Sequence, residues 1–156
     1  VFQGREVVSL LPGEHEDLDP LKNEAPTGWT VTGYPWYGIT TPEHQAFLKA
    51  YQDKYKDHPR LGSVVGYTAI QSLAAGMRKA AGADTEKLIT AFLGLELTSP
   101  FGPIRYRTED HQSTMGAFVG KTRNEGGKGV MVNFRYADGA KFQPSAEEVK
   151  KLRAAD

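Results

Sequence analysis

The segment from Leu61 to Tyr106 constrains the fold more than any other part of the chain, because the spacing of its apolar residues changes abruptly. Two stretches at helical spacing are separated by Gly82, which suits a helix C-terminus. They are followed by the turn sequence SPFGP and then by residues that alternate with the two-residue repeat of a strand. The segment therefore predicts two helices and then a β-rich region.

Composition excludes several classes of protein. The 156 residues include 19 basic and 19 acidic side chains and no cysteine. A neutral chain without a basic block lacks the electrostatic footprint of a nucleic-acid-binding protein, and without cysteine it can form neither disulfides nor thiolate sites. No apolar run approaches the roughly 20 residues that span a bilayer. The chain begins Val1-Phe2-Gln3-Gly4, with no initiator methionine or signal peptide, which predicts a mature or excised segment.

The first part of the chain predicts two strands on either side of an acidic loop. Arg5 to Leu11 is short, contains two adjacent valines and ends at Pro12-Gly13, which indicates a buried strand. The loop that follows is expected to contain one helical turn from Asp17 to Leu21. Trp29 to Tyr34 is rich in β-branched and aromatic residues and predicts the second strand.

The middle of the chain predicts three helices. Thr41-Pro42-Glu43 is a typical helix start, and Asp57-His58-Pro59 is expected to end that helix. Ser63 is expected to cap the second helix and Asp84 the third, which runs to Leu93. The predicted inward faces are Phe47, Ala50, Tyr51 and Tyr55 in the first helix; Val64, Tyr67, Ile70, Ala74, Met77 and Ala81 in the second; and Leu88, Ile89 and Phe92 in the third. The second helix has apolar residues on a further flank, so it is expected to be buried on more than one side.

The last part of the chain predicts short strands joined by tight turns, with a polar helix at the end. The strands are expected from Ile104 to Arg107, from Ala117 to Lys121 and from Gly129 to Tyr136, the turns at Gly126-Gly127 and Asp138-Gly139, and the helix from Pro144 to Arg153. The whole order is that of an α/β chain. Two early strands are too few for a complete parallel sheet, so the sequence predicts the C-terminal part of a larger protein.

The acidic loop after the first strand contains the first candidate site. Its calcium interpretation fails because the spacing of an EF-hand is missing, and its zinc interpretation lacks further His or Cys at short spacing. Most of the loop is therefore expected to be solvated. Glu14 is the exception, because it directly follows a strand and a Pro-Gly turn, and ligands of open α/β sheets lie beyond the carboxyl ends of strands. A carboxylate at that place can pair with an ammonium group.

Tyr67 is the second candidate, on the apolar stripe of the second helix. One interpretation is a core tyrosine, and the other is a side chain that lines a cleft. The helix start nearby presents free N–H groups and the positive end of the dipole, which suit a carboxylate. Together with Glu14, this region would suit a zwitterion if the fold brought the two together.

The remaining candidates are aromatic residues and histidines. Trp36 and Tyr37 follow the second strand directly, and a ligand wall and a packed hinge explain them equally well. The four histidines stand apart in the sequence; His111, beside Asp110, is explained by a surface turn, with a general base as the alternative. The sequence contains no nucleophile elbow, phosphate loop or dinucleotide fingerprint. It therefore predicts neither catalysis nor a cofactor and favours binding.

Several stretches occur in a distinctive order, namely VVSLLPGE, GWTVTGYPW, FLKAYQDKY, GYTAIQSLAAGMRKAAGADTEKLITAFLGL and SPFGPIRY followed by EDHQ. In this order they resemble the C-terminal half of periplasmic solute-binding proteins, above all the leucine/isoleucine/valine-binding type that serves ABC transporters. Each stretch alone is a weak signal, whereas the ordered set extends over nearly the whole chain.

The resemblance implies an α/β fold that is part of a two-lobed clamp, in which three-layer lobes are joined by crossing strands. Residues 1–34 and 114–156 would belong to the C-terminal lobe, and residues 35–113 to the N-terminal lobe. In that family a glutamate after the strand and turn pairs with the ligand ammonium, which matches Glu14, with Glu16 as the alternative. A tyrosine in the buried helix contacts the ligand, which matches Tyr67. Trp36 and Tyr37 are expected at the ligand from their position alone.

The resemblance also implies a function without enzymatic activity or cofactor. The expected activity is periplasmic binding of a small solute by cleft closure, for delivery to the membrane permease of an ABC transporter. The expected solute is an amino acid of the branched-chain or a related type, aromatic amino acids included. A ligand-sensing domain on the same fold and a hydrolase using His111 are the alternatives. Half a clamp would expose apolar surface, so a homodimer that exchanges elements is a further expectation.

Overall fold

A computed structural model describes Phe2 and residues 4–152 of the chain. The strands are β1 (Val8–Ser9), β2 (Thr30–Gly33), β3 (Glu96–Ser99), β4 (Gly102–Arg105), β5 (Ala117–Glu125) and β6 (Lys128–Ala137). The helices are α1 (His15–Leu21), α2 (Pro42–Tyr55), α3 (Leu61–Ala80), α4 (Thr85–Phe92) and α5 (Ala146–Leu152). Arg153, the predicted end of the terminal helix, lies outside the described residues. This mixture of helices and strands confirms the predicted α/β class.

The main sheet contains four strands in the order β1-β2-β5-β6. β1 is parallel to β2, whereas β5 returns to pair antiparallel with β2 and forms a hairpin with β6. β3 and β4 form a separate antiparallel pair. The chain therefore leaves the main sheet after β2, builds the helices α2 to α4 and the small hairpin, and then completes the sheet with β5 and β6.

Local turn chemistry explains several boundaries that the sequence predicts. Gly126 and Gly127 have φ angles of 58° and 83°, which gives the two consecutive left-handed residues that a tight β5–β6 hairpin favours. Asp84 caps α4, and its carboxylate accepts a hydrogen bond of 3.0 Å from the backbone N–H of Lys87. The predicted turn and the predicted cap are confirmed.

The hydrophobic core joins the main sheet to α2, α3 and the small hairpin. Its buried members are Val31, Tyr34, Ile39, Val64, Phe101, Phe118 and Met131. Aromatic edges connect them, with Phe101 in T-shaped contact with Phe118 at 5.1 Å between ring centroids. His44 on α2 is fully buried. Its Nε2 forms a hydrogen bond of 2.7 Å with the Tyr34 hydroxyl, and its Nδ1 lies 3.2 Å from the Ile39 carbonyl oxygen. Strands, helices and hairpin therefore pack on one shared core.

The first predicted strand is wrong in length and in burial. Only Val8 and Ser9 belong to the sheet, and the side chains of Val8, Leu10 and Leu11 are exposed. β1 is an edge strand with β2 as its one neighbour in the sheet. The chain then turns away at Leu11, whose φ is 74°, so the apolar run does not continue as a strand. The predicted helical turn at 17–21 forms, and it begins earlier, at His15.

The predicted faces of the helices are also corrected. The buried residues of α2 are His44 and Leu48, which lie beside the predicted apolar face rather than on it. In α4 the buried residue is Ala91, and Ile89, predicted inward, is exposed. Apolar spacing shows that a helix has two faces, but the neighbouring elements decide which face is covered.

α3 buries a row of small residues instead of its apolar stripe. The buried residues are Val64, Thr68, Ser72 and Gly76, at intervals of four. The hydroxyls of Thr68 and Ser72 each donate to the helix carbonyl four residues earlier, at 2.8 Å, so their burial leaves no donor unpaired. Small side chains let neighbouring elements approach closely, and a Cβ at Gly76 would lie 2.7 Å from the Phe92 ring on α4.

The predicted apolar stripe of α3 is therefore largely exposed, and the helix is not buried on more than one side. Tyr67 is 47% exposed and Ile70 is 65% exposed. The ends of α3 differ too. Ser63 is the third residue of the helix, and its hydroxyl accepts from the backbone N–H of Arg60 at 3.2 Å. The left-handed residue at the C-terminus is Ala81, with a φ of 53°, one position before the predicted Gly82.

Candidate functional site

Glu14 is positioned by a close approach of two glycines. The backbone N–H of Gly13 donates to the carbonyl of Thr32 at 3.0 Å, and the N–H of Leu11 donates to the Thr32 hydroxyl at 3.1 Å. A Cβ at Gly33 would lie 2.8 Å from the Cα of Gly13 and closer still to its carbonyl group. The turn before α1 thus lies directly on the end of β2, which places Glu14 beside the residues that follow that strand.

The carboxylate of Glu14 is in an unusual electrostatic setting. The residue is 8% exposed and begins α1. Burial raises the pKa of Glu14 to about 7, with further upward contributions from Glu16 and Asp17, while a hydrogen bond from the Tyr34 backbone lowers it. Among the described residues no lysine, arginine or histidine forms an ion pair with Glu14. Glu16, the alternative carboxylate, is exposed two residues further along the chain.

Four aromatic rings meet beside Glu14 and are called the aromatic cluster: His15, Trp36, Tyr37 and His58. Trp36 stacks on His58 with 4.8 Å between ring centroids and 17° between ring planes. His15 contacts His58 at 5.2 Å and Tyr37 at 5.6 Å between centroids. The Tyr37 hydroxyl donates to the carbonyl oxygen of Met131 at 2.7 Å, which fixes this ring against β6.

His58 is held by its own loop, between α2 and α3. Its Nδ1 lies 3.1 Å from the Asp57 carboxylate, and its backbone carbonyl accepts from the Arg60 guanidinium at 2.6 Å. Burial lowers the pKa of His58, and the charge of Arg60 adds to that shift. His58 Nε2 and Trp36 Nε1 are buried and have no hydrogen-bond partner among the described residues. A water molecule or a bound group would satisfy these two polar atoms.

The structure therefore places Trp36 and Tyr37 against His15, the residue after Glu14, and it adds two histidines that the sequence does not connect. His15 and His58 are separated in the sequence by the strand β2 and the helix α2. In the sequence, His15 is marked only by following the candidate Glu14, and His58 only by preceding the proline that ends a helix.

Tyr67 lies elsewhere on the described surface. Its ring contacts Phe47 of α2 at 5.1 Å between centroids. It lines a shallow depression with α2 and the β3–β4 turn, including Glu43 and Ser99, and none of the cluster's four residues lines that depression. Tyr67 is therefore an accessible side chain and not a core tyrosine.

His111 does not have the surroundings of a general base. It is an exposed turn residue with a φ of 60°. The carboxylate of the neighbouring Asp110 pairs with Arg107 at 3.3 Å and accepts from the backbone N–H of Gln112 at 3.0 Å. An orienting carboxylate that is engaged in this way leaves His111 without the partner that a catalytic base requires.

The described helices include none with both the length and the apolar character needed to cross a membrane.

Comparisons with solved structures identify the architecture. An ABC-type branched-chain amino acid transporter from Rhodopseudomonas palustris CGA009 is 24% identical, with a TM-score of 0.68 over 85% of this chain. A solute binding protein of an ABC transporter from Rhodopseudomonas palustris BisB5, in complex with 3,4-dihydroxy benzoic acid, is 22% identical, with a TM-score of 0.67 over 87% of this chain. The leucine-, isoleucine-, valine-, threonine-, and alanine-binding protein from Brucella ovis is 13% identical, with a TM-score of 0.74 over 92% of this chain.

These likenesses cover only part of the other proteins. The chain spans 36%, 38% and 39% of the lengths of the three structures, in the same order. No curated protein sequence matches the chain. The profile of the family described as periplasmic binding protein matches residues 2–128, which is most of the chain. The chain therefore belongs to the periplasmic binding protein family.

Proposed function

We propose that the chain is part of a two-lobed protein that captures an amino-acid-like solute outside the cytoplasm and delivers it to the permease of an ABC transporter. The observation that carries this proposal is the buried carboxylate of Glu14, which has no ion pair among the described residues. A buried carboxylate is costly unless a positive group or several donors stabilise it. The ammonium group of a solute would supply that partner.

The aromatic cluster supports a solute with an apolar or aromatic side chain. Trp36 and Tyr37 come shortly after β2, and their rings contact His15, the residue after Glu14. Flat rings provide a rigid apolar wall with polar edges. Among similar structures, one is named for binding leucine, isoleucine, valine, threonine and alanine, and another holds 3,4-dihydroxy benzoic acid. The solute class proposed is therefore branched-chain or related amino acids, aromatic ones included.

The two sheets support the lobes predicted from the sequence. The main sheet combines strands from residues 1–34 with strands from residues 114–156, whereas α2 to α4 and the β3–β4 hairpin come from residues 35–113. The chain passes between these two groups after β2 and again before β5. We assign the first group to one lobe and the second to the other, so that closure about these passages would trap the solute.

Calorimetry on the complete binding protein that contains this chain tests the proposal. The panel comprises leucine, phenylalanine and 4-hydroxybenzoate, which all have an apolar part. The two amino acids carry an ammonium group, whereas 4-hydroxybenzoate has none. Glu14→Gln, which keeps the side-chain volume, is expected to weaken binding of the two amino acids by about 10- to 100-fold, since hydrogen bonds to charged groups contribute about 1.5–3 kcal/mol. Binding of 4-hydroxybenzoate is expected to change little.

Glu16→Gln is the matched control, because this carboxylate is exposed on the same helix. Equal losses in the two variants would show that the charge of α1 acts at long range and that Glu14 is not the ammonium partner. Tight binding of amino acids by Glu14→Gln would overturn the assignment outright. Binding of 4-hydroxybenzoate with no binding of amino acids would overturn the solute class and leave the transport function intact.

A further inference from the structure

We propose that His15, Asp19 and His58 form a binding site for a divalent transition-metal ion, with Zn²⁺ as the best match. One ligand atom from each of these residues lies within 4.8 Å of the other two. The three residues come from the start of α1 and from the loop between α2 and α3, so the site would join two parts of the fold. Zinc chloride alone is the probe, so this inference is independent of the proposed solute.

The pair on α1 has the separation of two ligands of one metal ion, and the ion would replace the proton that His15 Nδ1 shares with Asp19. His15 and Asp19 lie one helical turn apart, and Nδ1 of the histidine is 3.1 Å from the carboxylate oxygen. Bonds of about 2.0–2.2 Å in a tetrahedral zinc site place neighbouring ligand atoms roughly 3.3 Å apart. The distances from this pair to His58 are at most 4.8 Å and have to shorten by up to roughly 1.5 Å, which rotation of the exposed Asp19 side chain and of the His15 ring can supply.

His58 has the tautomer that a metal ligand needs. The Asp57 carboxylate, 3.1 Å from Nδ1, can only accept a hydrogen bond, so Nδ1 carries the proton in the neutral ring. The lone pair is then on Nε2, which is buried and has no partner among the described residues. A carboxylate that orients the far nitrogen of a metal-binding histidine is a common arrangement in zinc proteins. The stacked ring of Trp36 holds His58 in this orientation.

The donor set favours zinc over calcium or magnesium. Two imidazole nitrogens and one carboxylate suit zinc and its neighbours in the transition series, whereas calcium and magnesium require mostly oxygen. Asp19 and Asp57 add negative charge, and Arg60, 3.5 Å from Asp57, is the opposing charge nearby. The side chain of Asp19 is 52% exposed, so water can reach the fourth position of a tetrahedral ion.

Calorimetric titration of the tag-free chain with zinc chloride tests the site. A single zinc ion is expected to bind with release of protons. Asp57→Asn is expected to weaken binding by about 10- to 100-fold, the usual effect of removing the partner that orients a ligand histidine. His58→Gln and Asp19→Asn remove ligands and are expected to weaken it more. Trp36 provides a second readout, because its ring stacks on His58. Zinc binding should change the Trp36 emission in the parent and in His111→Gln, and that change should be weakened in Asp19→Asn.

His111→Gln is the matched control, because it removes one histidine from an exposed turn outside the site. Asp19 is on the surface, so Asp19→Asn tests the site even if His58→Gln fails to fold, which circular dichroism would show. The proposal is overturned if the parent chain does not bind zinc, or if Asp19→Asn binds it as tightly as the parent. Equal losses in His111→Gln and His58→Gln would also overturn it.

Discussion

The contact between Gly13 and Gly33 makes a sharp prediction about stability, because two stretches of backbone meet there. Neither glycine has a positive φ, so an alanine could adopt the backbone conformation at Gly33. The cost of Gly33→Ala is therefore steric. The new methyl would lie 2.8 Å from the Cα of Gly13, whereas carbon atoms in ordinary contact lie about 3.5–4.0 Å apart. The turn that presents Glu14 has to move by roughly 1 Å.

The expected size follows from what the methyl group meets. Overpacking usually costs about 1–3 kcal/mol, and rigid backbone on both sides places Gly33→Ala near the upper end, at about 3 kcal/mol. Gly66→Ala is the opposite case, because Gly66 is on the exposed face of α3 and nothing lies within 4 Å of the new Cβ. Removing a glycine from a helix interior stabilises it by about 0.5–1 kcal/mol. Gly76→Ala should fall between them, since its methyl meets the movable ring of Phe92.

Urea unfolding followed by circular dichroism measures all three variants against the parent. The expected order of the free energy of unfolding is Gly66→Ala highest, Gly76→Ala within about 1 kcal/mol of the parent, and Gly33→Ala lowest. If Gly33→Ala unfolded at the same urea concentration as the parent, the close approach of the turn at Gly13 to the end of β2 would be wrong. If Gly33→Ala and Gly66→Ala lost stability equally, glycine content rather than geometry would explain the result.

Three other predictions concern stability. Asp84→Ala removes the cap of α4 and is expected to lower the free energy of unfolding by about 1 kcal/mol; no change in urea unfolding would contradict the cap. Tyr34→Phe leaves His44 Nε2 buried without its partner and is expected to cost about 1–3 kcal/mol, and a neutral effect in thermal unfolding would show that the bond is not formed. Burial lowers the pKa of His44 in the folded protein. Its contribution to the free energy of unfolding is therefore complete above the pKa of the unfolded chain, about 6.5, and is lost as the pH falls from there towards the lower pKa of the folded state. Urea unfolding at pH about 7.5 and about 5.5 should therefore show a smaller loss on acidification in His44→Gln than in the parent, and equal losses would contradict this origin.

Local chemistry made part of this structure predictable from the sequence. The Gly126-Gly127 turn and the Asp84 cap depend on residues within a few positions of each other, and both are confirmed. The start of α2 at Pro42 is confirmed for the same reason. The sequence does not predict β3, because the turn sequence after it suits the end of a helical region as well as the middle of a hairpin.

Tertiary packing decided what the sequence could not. The apolar spacing of α3 predicts a buried Ile70, but the helix packs through the small residues around Ser72, whose hydroxyl is satisfied within the helix. The same limit applies to the candidate site. Glu14 was predicted from its place after a strand and a turn, whereas no spacing in the sequence connects His15 with His58. That contact exists only because the loop after α2 packs against the start of α1.

The order of strands in the main sheet has a consequence for the route by which the chain folds. β2 pairs with β5 across a sequence separation of 91 residues, from Thr30 to Lys121. Closing so long a loop costs conformational entropy before the paired strands return any stability. On a ribosome, β2 emerges long before its antiparallel partner β5 exists. The helical segment can form first, because its contacts are local, and the sheet that supports Glu14 is completed only when the last hairpin arrives.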